Sequence, residues 1–497
     1  MTEPCDLTAV EARRLIGRRA LSPVELLESC LARTDATDHA VNAMVARDDA
    51  ASRAAAKAAE QAVMRGDALG ALHGLPVGIK DLTPTKGLRT TWGSPLFRNH
   101  VPDADHSLVA NIRAAGGIIA GKTNTPEFGA GANTRNAVYG ATGNPFDPTK
   151  NAAGSSGGSA VALAVGQVPL CSGSDMGGSL RNPAAFNGIV GFRPTPGLVA
   201  DEGKKLGWSG LGVQGPMARN VADLSLLLSV MAGDDAGDPM ATTVHGKRVH
   251  SPGDFFPVQS LDLGGLRVAI TPDFGFAPTE THIREVFAEK VALFKHAFRS
   301  TSETAPDCSG TDEAFEVLRS TNFVASHIEK WHSARDQLGP NIVANMEEAL
   351  KYGIADIARA SMLQTTLYHR WQAFFADFDI ILSPAITISP RPWTELFPKE
   401  IDGRPTRTYF HWLSLAYAVT IVGHPAISLP VGRDHAGMPF GLQIVGRRGG
   451  DAQVLAVAAA LEEMLAGDPR TRRPVPDIMA LKAAPPISGM PHFMGFN

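Results

Sequence analysis

Apolar residues in this chain recur at two spacings, and the switching between them predicts layers of helix and strand. Residues 8–33 carry helical spacing in two blocks. Thr8 can cap the first, and Ser22-Pro23 opens the second with Glu25 in its first turn. Alanine-rich Ala50–Met64 predicts a third helix. Leu72–Asp81 reads as a short buried strand ending in two charges, Lys80 and Asp81. Helix Ser107–Ala115 and strand Gly117–Ala120 come next. Asn144–Gly158 is a long loop of Gly, Ser, Asn and Pro. A helix of small residues, Ser159–Val165, then leads to strand Val168–Cys171. A second glycine loop fills 173–179, and Ala218–Met231 has the pattern of an amphipathic helix.

The alternation resumes with strand Arg267–Thr271, helix His282–Ala297 and strand Asp379–Ser383. Strands Pro425–Pro430 and Gly441–Val445 and helix Ala452–Leu465 follow. Such an order predicts an α/β layer fold around a large, mixed, mostly parallel central sheet with helices on both faces. Residues of about 310–376 look helical throughout, with Phe315, Phe323, Trp331, Tyr352, Tyr368, Trp371 and Phe374 among them. They predict a helical lobe beside the sheet.

Composition narrows the function. The charges nearly balance, 46 basic against 50 acidic, so no strong field selects nucleic acid or an anionic membrane as partner. No run of about 18 apolar residues predicts a membrane span, and Met1–Val10 does not read as a secretory signal. Cys5, Cys30, Cys171 and Cys308 are scattered and form no CxxC pair, which suits a reducing compartment and a cytoplasmic location. The histidines show no ligand spacing, so no metal is expected.

Two literal motifs lack their context. Gly116–Thr123 matches the phosphate-loop pattern, but helix precedes it, the apolar run lies inside it, and Pro126 stops a helix from Lys122. Gly154–Gly158 matches a nucleophile elbow, but the polar stretch 147–153 precedes it where an elbow needs a buried strand.

Chemistry concentrates in two glycine-serine loops, Gly154–Ser159 and Gly173–Ser179. The segment between them, Ala160–Leu170, is long enough for a short helix and a returning strand, so both loops can lie at one end of the sheet. Met176-Gly177-Gly178-Ser179 offers successive backbone N–H groups as a nest for an oxyanion, with Ser179 at its end. A serine needs a base, and neither loop holds a histidine. A buried, neutral lysine can serve, and Lys80 ends an apolar strand. This serine chemistry needs no cofactor.

These segments resemble the amidase signature family. The resemblance rests on Gly74–Asp81, on Gly-Ser-Ser-Gly-Gly-Ser at 154–159 and on Gly173–Arg181. It extends to Asn187–Gly197, Gly423–Pro430 and Gly441–Gly446, and is weakest over 235–375. It implies a hydrolase of amide-type bonds (amide, anilide or carbamate) with Ser179 as nucleophile, Ser155 as relay on a cis peptide after Gly154, and Lys80 as base. It implies an oxyanion hole from Met176, Gly177, Gly178 and Ser179, with Ser174, Asp175 and Arg181 in support. A single amidase domain over 1–497 is expected. Its signature core covers about 70–235, a substrate-shaping lobe about 310–376, C-terminal strands and helix 379–466, and an extended tail 483–497.

Glutamine-binding members of that family typically carry an acid before the Gly-x-Pro-x-Ile-Ser segment. Here Tyr409–Tyr417 is aromatic and apolar. A small-molecule amide is therefore the expected substrate, with the amidase subunit of a glutamyl-tRNA amidotransferase as the alternative. Trp412 and Tyr417 can serve either as pocket or as core. The N-terminal helices leave room for a homodimer contact.

Overall fold

In the computed structural model, residues 3–494 are described apart from 234, 242, 245 and 246. The two ends of the expected 1–497 domain, including the last three residues of the tail, lie outside the described residues.

Capping starts the N-terminal helices where expected. Thr8 accepts from the Glu11 amide to open α1 (Ala9–Gly17), and a Ser22–Glu25 capping box opens α2 (Pro23–Val41). Helix α2 runs past the expected end at Arg33 and stops at Asn42 in the left-handed conformation. The alanine-rich segment forms α3 (Asp49–Arg65), and α4 covers Ser107–Ala114.

Eleven strands make one sheet. In chain order they are β1 (Met44–Ala46), β2 (Pro76–Lys80), β3 (Ile118–Thr123), β4 (Leu170–Asp175), β5 (Val190–Arg193) and β6 (Val213–Ala218), then β7 (Arg267–Ile270), β8 (Ser300–Glu303), β9 (Ile380–Pro384), β10 (Ala426–Arg433) and β11 (Pro439–Val445). Their spatial order is β1-β3-β2-β4-β6-β5-β10-β11-β9-β7-β8. The sheet is mixed, and its parallel pairing lies in two blocks: β2 with β3 and β4, and β7 with β8 and β9. From β4 through β6, β5, β10 and β11 to β9 the neighbours are antiparallel, and the short turn 434–438 joins β10 to β11 as a hairpin.

Helices cover both faces. Ile380 and Leu382 of β9 join the side packed by α1, α4, α7 (Val221–Met231), α8 (Thr281–Phe294) and α13 (Asp451–Leu465). Ile381 between them joins the opposite side with α11 (Ile354–Asp377) and α12 (Ser414–Val422), the period of two that a strand imposes. Helices α5 (Gly157–Val165) and α6 (Arg181–Asn187) are buried at every position. The aromatic stretch forms the expected helices, α9 (Thr311–Ala334), α10 (Pro340–Ala349) and α11.

Several expectations need correction. Part of the expected 144–158 loop is a small hairpin, Gly143–Asn144 with Asp147–Asn151, because the Asn144 and Asp147 side chains cap backbone amides two residues on. Strand β4 runs on through Gly173 to Asp175, paired along its length with β6. Helix α7 starts at Val221 and is buried almost all round, so it is a core helix and not an amphipathic one. The tail contains a 3-10 turn at Ile487–Gly489 that buries Ile487, and α14 (Ile478–Ala483) precedes it. The rejection of a phosphate loop at Gly116–Thr123, by contrast, agrees with the structure: β3 runs through it, and Lys122 is buried within it against Thr83 and Thr85.

Candidate active site

Strand β2 sets the direction of Lys80. Val77 and Ile79 face the apolar side, so Gly78 and Lys80 face α5. Gly78 has no room for a side chain: a Cβ there would stand 2.8 Å from Cys171 Sγ. Lys80 beyond it is 1% exposed. Its Nζ lies 2.7 Å from Ser155 Oγ, 2.9 Å from Ser156 Oγ and 3.0 Å from Ser174 Oγ. Burial pulls the Lys80 pKa down to about 7, and the Asp175 carboxylate opposes that pull.

Three hydroxyls around one amine constrain the protons. A neutral amine donates two hydrogen bonds and accepts one. Ser156 Oγ accepts from the Ser174 amide and directs its own proton to the Ser174 carbonyl, both at 3.4 Å. That leaves Ser155 and Ser174 able to donate to the amine, and Ser155 lies nearer.

The Ser155 loop nests against β4 because glycine removes the obstacles. The Gly154–Ser155 peptide is cis. A Cβ on Gly154 would lie 2.8 Å from the Gly131 carbonyl, and one on Gly173 would lie 2.9 Å from Ser156 Oγ. The two loops are stitched where the Ser156 amide donates to the Ser179 carbonyl at 3.3 Å.

Ser155 and Ser179 both line a cavity of about 260 Å³, though their hydroxyls are not hydrogen-bonded to each other. Among the described residues, the Met176, Gly177 and Ser179 amides have no acceptor. The Gly178 amide does: it donates to Asp175 Oδ1 at 3.0 Å. Of the four amides expected in the oxyanion nest, Gly178 is therefore turned away, because Asp175 folds under the loop and takes it.

Asp175 is the hub behind this turn. Its carboxylate receives Arg181 at 2.9 and 3.1 Å, Arg193 at 3.3 Å and the Leu180 amide at 3.1 Å. All three side chains are sealed from solvent. Burial raises the Asp175 pKa, and the two guanidiniums outweigh it and hold the carboxyl far below its usual range. Arg181 also reaches the Ala416 carbonyl and Gln443 Oε1, tying the loop to α12 and β11.

Sequence reasoning missed Ser156 as a partner of Lys80, although it sits beside Ser155. It also missed Arg193 as the second cation on Asp175. Trp412 and Tyr417 are core: Trp412 is bonded to the Tyr409 carbonyl, and Tyr417 stacks on Phe315 at 4.3 Å. Tyr409, Phe410, Leu413 and Arg319 line the cavity instead. Nothing around Arg319 in the sequence marks it, because it reaches the site only through the placement of α9.

A family model described as Amidase matches residues 25–455. An acylamidase of Rhodococcus erythropolis is 33% identical over 463 residues, covering 92% of this chain and 95% of the relative. The A-type subunit of a glutamyl-tRNA(Gln) amidotransferase of Chloroflexus aurantiacus is 32% identical over 492 residues, 93% of this chain and 98% of the relative. Among solved structures, a bacterial aryl acylamidase of the amidase signature enzymes superposes with a TM-score of 0.84 at 25% identity, covering 98% and 99% of the two chains. Fold and relatives together make this protein an amide hydrolase. It belongs to the amidase family, and its substrates are small molecules. Among the described residues, no helix is long and apolar enough to cross a membrane.

Proposed function

We propose that Ser179 is the nucleophile of an acyl-enzyme mechanism in which Ser155 relays protons and Lys80 is the base. The 2.7 Å contact between the buried Lys80 amine and Ser155 supports this reading above all. Unprotonated Lys80 takes the Ser155 proton as Ser155 takes that of Ser179. Ser179 attacks the amide carbonyl, and the oxyanion meets the amides of Met176, Gly177 and Ser179. The proton returns through Ser155 to the leaving nitrogen, and water, activated by the same route, cleaves the ester. The hydroxyls of Ser155 and Ser179 must close on each other for the first transfer, as catalytic contacts often do once substrate is bound.

Linear acyl amides and anilides are the proposed substrates, with carbamates served by the same site. The acylamidase relative and the aromatic lining of Tyr409 and Phe410 support them. The relatedness to amidotransferase subunits favours a second reading, an ammonia-supplying subunit. Against it stands a 409–417 stretch without an acidic residue. A panel of amide, anilide, carbamate and ester substrates on the single purified chain, with Ser179→Ala as control, tests both. Turnover by the chain alone supports the first reading; turnover retained by a folded Ser179→Ala chain overturns it. Four free, buried cysteines suit the reducing cytoplasm, where we place the enzyme.

A further inference from the structure

We propose that Arg319 binds a carboxylate, and that the amides this enzyme prefers carry one. The inference rests on the cavity beside Ser155 and Ser179 being the substrate site. Arg319 lines that cavity and is 5% exposed, yet among the described residues no carboxylate lies within 4.0 Å of it. Glu316, one turn earlier on α9, is paired with Arg407 at 3.1 Å. Two of the five guanidinium N–H groups are held, one by Asn345 Oδ1 at 2.5 Å and one by the Tyr409 hydroxyl. The others have no acceptor among the described residues. A buried cation without an anion is costly, and a planar fork of free donors matches a carboxylate.

The surroundings supply the rest of a subsite. Phe323 and Phe410 lie 4.2 and 4.5 Å from the guanidinium carbon and sheathe it in aromatic faces, which suit the apolar body of the same ligand. Lys204 and Lys205 line the cavity as well, Lys204 paired with Asp238 at 3.9 Å. Its two acids are already engaged: Asp175 by Arg181 and Arg193, and Asp201 by His106 at 3.1 Å and Gln214 at 3.2 Å. Among the described residues, Arg319 and Lys205 are the cations of the cavity lining with no carboxylate within 4.0 Å. The competing role for Arg319 is a structural pin between Asn345 and Tyr409, which would confer no preference for anions.

Calorimetric binding to the full Ser179→Ala chain separates these roles. Two matched pairs serve as probes: succinanilate with its neutral carboxamide, and 4-acetamidobenzoate with 4-acetamidobenzamide. They place the carboxylate on the acyl or the amine side. In at least one pair the carboxylate should bind at least about tenfold more tightly than its neutral twin, the usual scale for a charge-assisted contact. Adding Arg319→Gln should bring the twins level, and Arg319→Lys should keep part of the difference. Equal affinity within both pairs, absent binding included, overturns the proposal. So does a preference that survives Arg319→Gln. The Ser179→Ala comparison decides by itself if circular dichroism shows Arg319→Gln unfolded. A wrong nucleophile assignment reads out separately, as aniline released from succinanilate by the Ser179→Ala chain.

Discussion

Ser155 and Ser156 are neighbours in the chain and both stand against the Lys80 amine, at 2.7 and 2.9 Å, yet only Ser155 opens onto the cavity. The difference comes from the backbone around each residue. Ser156 stands at the N-cap position of α5, but its hydroxyl caps no helix amide and bonds back to the Ser174 carbonyl instead. Ser155→Ala should therefore lower kcat by roughly 10³-fold or more, as loss of a proton-transfer group does, with KM little changed. Ser156→Ala should cost about tenfold, since it removes one hydrogen bond from the amine and no step of the relay. Steady-state kinetics on an anilide checks the contrast; equal losses in the two variants would count against the relay.

The pH dependence follows from the sign of the Lys80 shift. Its pKa falls from 10.5 to about 7, so the amine that accepts a proton is present above pH 7 and lost below it. The kcat/KM profile should be level on the alkaline side and fall about tenfold per unit as the pH drops below 7. Lys80→Met should be inactive at every pH while its melting temperature holds. A profile flat from pH 5 to 8 would remove Lys80 from the role of base.

Asp175→Asn should do two separate things. It strands Arg181 and Arg193 in the interior, which should cost about 3–5 kcal/mol of stability. It also removes the anion that opposes the downward shift of Lys80, so the acid limb of the remaining activity should move to lower pH. Thermal melts and the pH–rate profile report the two effects independently.

Adjacent glycines should behave differently. Gly178 has φ +100° and a Cβ there would meet Asn182 at 2.4 Å and Ala416 at 2.5 Å, so Gly178→Ala should leave little folded enzyme. A Cβ on Gly177 would stand 3.6 Å from Phe315 and 3.7 Å from Leu413, ordinary contact distances. Gly177→Ala should keep its melting temperature and change KM, because the added methyl enters the cavity wall. Circular dichroism and kinetics on the two variants check this.

The parts legible in the sequence are those whose signals are local. Lys80 ends an apolar run, and the two serine loops announce themselves by glycine density. Strand β6 escapes such a reading because Gly215 and Pro216 interrupt it, and both argue against a central strand. The structure explains the exception: β5 reaches β6 only at Met217 and Ala218, and a Cβ on Gly215 would lie 2.4 Å from the Phe192 carbonyl. Arg193 lies 18 residues from Asp175 and meets it only through the sheet. Arg319 is beyond reach for the same reason, since its meaning depends on a cavity assembled from distant segments.

The reacting groups all come from residues 80–179, whereas the far wall of the cavity comes largely from α9 and the 409–413 turn. How the bond is broken and which molecule is admitted are thus written in different stretches of the gene. Exchange of α9 and that turn between relatives should transplant appetite without rebuilding the cutting edge, a route open to evolution and to the protein engineer alike.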